Sequence, residues 1–428
     1  MKKHTQSPYE SSEISYKPSG IKWLGEIPKH WEICKLNKVS YFINGYAFES
    51  SHFDYSFSIP VIRIGDIQND KIIYHTCLMT KEQENLKNFM IYRGDIVIAL
   101  SGATTGKFAV CNSNKKAYIN QRVAIIRSDI KILKYYLSTF GFVNYIDMLC
   151  NGSAQPNIST KEVGNFKIPL PPLQEQKEIA EFLDEKCEKI QNYINKKQKL
   201  ITLLQEKKQA LINQAVTKGL NPNIEFKNSE IAYLGLIPHH WEVKKLKHIC
   251  KINPQTNETL PNNFVYIDLE SVAKGQLLKE QTINKEQAPS RAQRILQKQD
   301  ILFQLVRPYQ RNNYIFNKNG DYVASTGYAQ IRTKECVNFV YYALLENSFV
   351  ERVILKSTGS NYPAITSNDF ADLKIPLPPL QEQEEIAEFL DSKVAQIDSV
   401  IEKTKKQITL IKEYKNTLIN EAVCGRIR

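Results

Sequence analysis

The stretch SGATTGKF at 101–108 carries the ingredients of a phosphate cradle: two glycines, hydroxyl side chains and a lysine. A nucleotide-binding loop needs four residues between its glycines and a Ser or Thr after the lysine. Here three residues separate Gly102 from Gly106 and Phe108 follows Lys107, so the spacing excludes that chemistry. The same residue types suit another use. Arg and Lys pair with the guanine edge, Asn and Gln with adenine, Ser and Thr with either. Such side chains act from loops at strand ends, beside groups that hold phosphates. In the first half of the chain that description fits Tyr46 and Phe48 in NGYAFES, Arg63 in VIRIGD, Ser101, Thr104, Thr105 and Lys107 in the glycine loop, Gln121 and Arg122 in INQRV, and Ser153 and Gln155 in GSAQPN. In the second half it fits Arg307, Tyr309, Gln310 and Arg311 in LVRPYQRNN, Ser325 and Thr326 in ASTGYAQ, and Ser360, Asn361 and Tyr362 in GSNYPA. Arg307 and Arg311 are the strongest of these for contact with DNA, through a guanine edge or a phosphate. Tyr46 and Phe48 suit a hydrophobic core equally well.

No other reactive constellation accompanies them. The 8 cysteines form no C-x-x-C pair and the 7 histidines no H-x-x-x-H pair, so neither a metal site nor a disulfide framework is expected. Such thiols fit a cytosolic protein, and no cofactor is expected. The [ND]-P-P-[YF] motif of amino-group methyltransferases is missing; PLPPL has no Asn or Asp ahead of its prolines. The net charge of +12 points to nucleic acid or another acidic surface as partner. MKKHTQSPYESS has no apolar core, so no secretory signal is expected. No run approaches the roughly 18–20 apolar residues of a membrane span.

The elements that must position these side chains are written twice. IPLPPLQEQKEIAEFLDEK (168–186) returns as IPLPPLQEQEEIAEFLDSK (375–393). GIKWLGEIPKHWEICKL (20–36) returns as EIAYLGLIPHHWEVKKL (230–246), and LINQAV (211–216) as LINEAV (418–423). GDIVIAL (94–100) resembles QDILFQL (299–305), and NGSAQPNIS (151–159) resembles TGSNYPAIT (358–366). The order is the same in both halves, which marks a tandem duplication. The middles, about 40–150 and 250–355, share pattern but little identity. Each half begins with short β-branched runs bounded by Gly, Asn, Asp and Pro, which read as strands. IPVIRIGDI, GDIVIAL and QRVAIIR are followed by the helical KILKYYLSTFGFVNYIDML; NFVYIDL, DILFQL and YAQIR by FVYYALLENSFVERVIL.

Each half then ends in a long helix. Pro171–Pro172 and Pro378–Pro379 cannot lie inside one, so Leu173 and Leu380 open it. Glu175 and Glu382 suit the positive end of the helix dipole. Apolar residues recur at Ile179, Leu183, Ile190, Ile194, Ile201, Leu204 and Leu211, and at Ile386, Leu390, Val394, Ile397, Ile401, Ile408, Ile411 and Leu418. Steps of three, four and seven describe a coiled-coil seam. Two such helices in one chain are expected to bury their seams on each other, running antiparallel with pseudo-two-fold symmetry. The fold class is therefore α+β: two mixed α/β domains in tandem, 1–172 and 220–379, joined and spaced by helical regions 173–219 and 380–428. Two related but different heads held apart suit a two-part target.

In the doubled LPPLQEQ helices and the doubled IPxHWE starts, the chain resembles the specificity subunit of type I restriction–modification systems over essentially its whole length. The resemblance implies that each mixed domain is a target recognition domain reading one half of a split double-stranded DNA site, while the helices set the unread spacer. It implies two methyltransferase subunits as partners, which methylate adenine, and restriction subunits that translocate and cut DNA. The specificity subunit itself would do no chemistry. Three other readings stay open on the sequence: an enzyme with duplicated nuclease or methyltransferase domains, a nucleic-acid-binding scaffold without sequence choice, and an orphan subunit that redirects another system's methyltransferase.

Overall fold

The structure is a computed structural model of the chain that describes residues 15–68, 70–151, 155–255 and 258–427. It divides into two compact units. One comprises the described residues up to Lys196 together with those from Lys406; the other is Lys197–Lys405. Each long helix, Leu173–Lys218 and Leu380–Val423, is cut by this division, so each unit contains the beginning of one and the end of the other.

In the first unit the strand-like runs form a four-stranded antiparallel sheet in the order Phe108–Val110, Ile96–Ala99, Val123–Arg127, Tyr41–Asn44. Ile125 lies opposite Ile43 and Val97, so branched side chains meet across the sheet. A three-stranded sheet of Tyr118–Ile119, Ile59–Ile62 and Leu78–Thr80 packs beside it. The second unit repeats the first sheet in the same order, with Tyr314–Ile315, Ile301–Gln304, Tyr328–Thr333 and Cys250–Ile252. Its other sheet has four strands: Gln281–Asn284, Asn263–Ile267, Tyr322–Ser325 and Ala292–Ile295.

The helical stretch after the strands is two helices in each unit, not one. Leu133–Leu137 and Phe140–Cys150 are separated at Thr139, whose hydroxyl caps the second by accepting from Phe142 N at 3.2 Å. Val337–Leu344 and Asn347–Lys356 are separated at Glu346, whose carboxylate accepts from Ser348 N and Phe349 N. A side chain that satisfies free helix N–H groups restarts the helix at a new angle.

The two sequence repeats prove to be one structural device. Lys167–Leu170 pairs antiparallel with Glu32–Lys35, and Lys374–Leu377 with Glu242–Lys245. The strand that leads into each long helix is thus bonded to the strand that follows the His-Trp turn. At the helix start Glu175 accepts from the Trp31 indole N–H at 2.9 Å and bonds His30 Nε2 at 2.7 Å. Glu382 does the same for Trp241 at 3.0 Å and His240 at 2.7 Å. Gln176 and Gln383 reach back to the carbonyls of Pro171 and Pro378. Each tryptophan also receives the end of a long helix. A Cβ on Gly425 would lie 2.9 Å from Trp31, and one on Gly219 3.4 Å from Trp241. Both glycines have positive φ, the conformation that ends a helix at its C′ position.

In the second unit the helix segments run antiparallel: Gly219 lies by Glu382, and further along Lys208 Nζ meets Asp398 Oδ2 at 2.7 Å. Of the expected seam, Leu183, Ile190, Ile194, Ile386, Leu390, Ile397, Ile401, Ile408 and Leu418 are buried. Ile179, Ile201, Leu204, Leu211, Val394 and Ile411 are half-buried. Ile212, Val216, Ala387 and Ile419 are buried too, because each helix also packs on the adjoining mixed domain and needs a wider apolar face than a coiled-coil seam.

Candidate nucleic-acid interface

Three loops that are distant in sequence meet in the first unit. Leu100 N donates to Arg122 O, Gly102 N to Pro156 O, and Ile158 N to Leu100 O, all at 2.9 Å. This joins the glycine loop, the turn 119–123 and the loop 155–158. The second unit makes the same three bonds with different residues. Leu305 N donates to Gly327 O at 2.9 Å, Arg307 N to Pro363 O at 2.7 Å, and Ile365 N to Leu305 O at 3.2 Å. An ion pair between a half-buried arginine and a buried aspartate ties the strands below each cluster. Arg127 bonds Asp95 at 2.7 Å, and Arg332 bonds Asp300 at 2.6 Å. The Asp95 carboxylate raises Arg127 above its ordinary value. The two apices thus share their backbone bonds and differ in their side chains, and loops held this way on a rigid scaffold are where functional residues are placed. Among the described residues no group of three or more His, Cys, Asp or Glu could hold a metal ion.

Residues 28–205 and 238–410 match the type I restriction modification DNA specificity domain. The chain belongs to this family. It contains the specificity domain twice, and both copies include the three-loop apex. A specificity subunit of the type I restriction enzyme MjaVIII from Methanocaldococcus jannaschii is 27% identical over 369 residues, 80% of this chain and 81% of the relative. The EcoBI specificity subunit of Escherichia coli is 23% identical, covering 95% and 88%. The fold is similar to a chain from a solved type I R-M system structure, described for its complex assembly and conformational transition. The TM-score is 0.69 at 17% identity, covering 94% of this chain and 99% of that one.

Within the specificity domains the sequence candidates separate by placement. Lys107, Gln121, Arg122 and Gln155 are exposed on the first apex, and Tyr309, Gln310, Ser360, Asn361 and Tyr362 on the second, with Gln310 Oε1 accepting from Gln304 Nε2 at 2.8 Å. Arg307 and Thr326 are half-buried beside them. Ser153 lies outside the described residues.

The others face inward or are bonded within the protein. Phe48 is buried with Tyr118 and Phe53, and Tyr46 packs edge-on against it at 5.0 Å. Ser325 is buried, its hydroxyl accepting from Gly327 N. The oxygens of Ser101 and Thr104 are buried, and Thr105 bonds Gly102 O at 2.7 Å. Arg63 is held by Asp66 and by Thr76 O at 2.9 Å. Arg311 donates to Asn347 Oδ1 at 2.7 Å and to Gln209 Oε1 on the long helix at 3.3 Å, and burial lowers its pKa. It braces the loop from beneath. Sequence reading missed Arg291, exposed next to the second apex, whose carbonyl accepts from Thr326 N at 2.8 Å. Only the pairing of Ala292–Ile295 with Tyr322–Ser325 brings it there, and no local motif marks it.

Proposed function

We propose that the chain is the DNA-specificity subunit of a type I restriction–modification assembly, and that each three-loop apex reads one half of a split duplex site. The observation that carries this is the apex itself, built twice on the same backbone bonds with different side chains. Equal frames with unequal contacts read unequal half-sites. The outward set is Lys107, Gln121, Arg122 and Gln155 for one half, and Arg307, Tyr309, Gln310, Thr326 and Tyr362 for the other. The boundaries 1–172, 173–219, 220–379 and 380–428 then divide reading from spacing, and the helices set the number of unread base pairs. A pseudo-two-fold, coiled-coil arrangement is the finer form of this reading, supported by the contacts that the two units repeat. It accommodates two adenine methyltransferase subunits, with restriction subunits joining the complex, and leaves this chain no chemical step of its own.

The test is a genome-wide map of methylated adenines in cells expressing a cognate methyltransferase, with and without this chain. A split motif with two different halves, present only with the chain, is the expected result. A stable complex that yields no chain-dependent motif would refute the reading.

A further inference from the structure

The two apices differ most where the backbone is least forgiving. In the first unit the loop turns at Gly102 and Gly106, with φ of +76° and +80°. Positive φ costs glycine nothing, and glycine is the residue such turns select. In the second unit the matching positions are Arg307 and Arg311, both with φ 55°. Residues with a Cβ rarely adopt this region, and retained strain of this kind clusters at functional sites. Arg311 has a structural use, its bonds to Asn347 and Gln209. Arg307 has none of that kind. Among the described residues its side chain makes no hydrogen bond or ion pair, and its Nε is buried without a partner. It also precedes Pro308, whose ring pushes the preceding residue towards extended backbone.

What holds Arg307 is an aromatic platform. Its guanidinium carbon lies 4.1 Å from the ring centroid of Tyr362, which is 65% exposed. Tyr362 sits on a loop closed by reciprocal bonds between Thr358 and Ala364, both 2.9 Å. Stacking on a ring fixes the guanidinium plane while leaving its two terminal NH2 groups without a partner among the described residues, and that pair of donors can bond O6 and N7 of guanine.

We infer that Arg307, stacked on Tyr362, is a guanine-reading residue of the second unit, and that its strained backbone is retained for that contact. The inference rests on the reading of the chain as a DNA-specificity subunit and names one base of its target. Three variants test it, each as the full chain with a cognate methyltransferase: Arg307→Gly, Arg307→Lys and Tyr362→Ala. Arg307→Gly should raise the thermal midpoint, because glycine relaxes the turn, and should lose discrimination at one guanine by roughly 5- to 150-fold. The other half-site should stay as in the wild type. Arg307→Lys keeps charge and strain but not the fork, and should lose the same guanine without a rise in midpoint. Tyr362→Ala should weaken the same position less than Arg307→Gly. A motif unchanged in both Arg307 variants would overturn the inference alone. So would binding weakened equally for all sequences, the mark of a phosphate contact. A wild-type chain with no split motif would overturn the specificity reading and this inference together.

Discussion

Trp241 is fully buried, and its indole N–H is satisfied by the Glu382 carboxylate at 3.0 Å. A buried donor that loses its acceptor costs about 1–3 kcal/mol. Glu382→Ala should therefore destabilise the second unit by about that amount, and Glu382→Gln, which keeps an acceptor, by less. Urea unfolding of the full chain checks this, and equal losses for the two variants would show that the hydrogen bond is not the cause. Because the Arg311 guanidinium braces the loop against Asn347 and Gln209, Arg311→Ala should blur recognition at several positions of one half-site and lower the unfolding midpoint. A change confined to a single guanine, with unaltered stability, would make it a direct reader instead. Phe48→Ala, which empties a site between Tyr46, Phe53 and Tyr118, should cost about 3–5 kcal/mol by differential scanning calorimetry.

At the scale of elements, the long helices have a buried face and an exposed one that can be told apart by truncation. Leu390 is fully buried in the second unit's core, whereas Leu203 is 51% exposed. Leu390→Ala should cost about 2–5 kcal/mol, and Leu203→Ala should stay within about 0.5 kcal/mol. Comparable losses at both would mean that Leu203 is covered in the folded protein. The role proposed for the helices has its own consequence. Inserting one heptad into 186–211 and a matching one into 393–418 preserves the apolar register. It should lengthen the unread gap in the methylation motif and leave both halves intact. A changed half-site with an unchanged gap would contradict the division between reading and spacing.

The whole molecule carries a net charge of +12, and duplex DNA is a polyanion. Neutralised phosphates release counterions, so affinity for any duplex should fall with salt, with a log–log slope of about −0.9 per phosphate contacted. Affinity for the split site should exceed that for unrelated duplex at every salt concentration, since base contacts add to the phosphate contribution. Filter binding from low to high salt measures both. Equal affinities throughout would favour a scaffold without sequence choice.

The duplication, the strands and the starts of both long helices at Leu173 and Leu380 were legible in the sequence, because they rest on local rules. β-branched runs extend, Pro-Pro stops one element before another begins, and apolar steps of three and four mark a helix face. The loops that form each apex were legible as well, since turn residues and polar side chains cluster in them. Which side chains point outward was not. Arg307 and Arg311 lie four residues apart in one loop, yet one stacks on an exposed tyrosine and the other braces a helix. Nor was the bond between the two repeated motifs, Trp31 with Glu175 and Trp241 with Glu382. These contacts join residues far apart in the chain. Local propensity has no reach over such distances, and only the packed fold brings their atoms within hydrogen-bonding range.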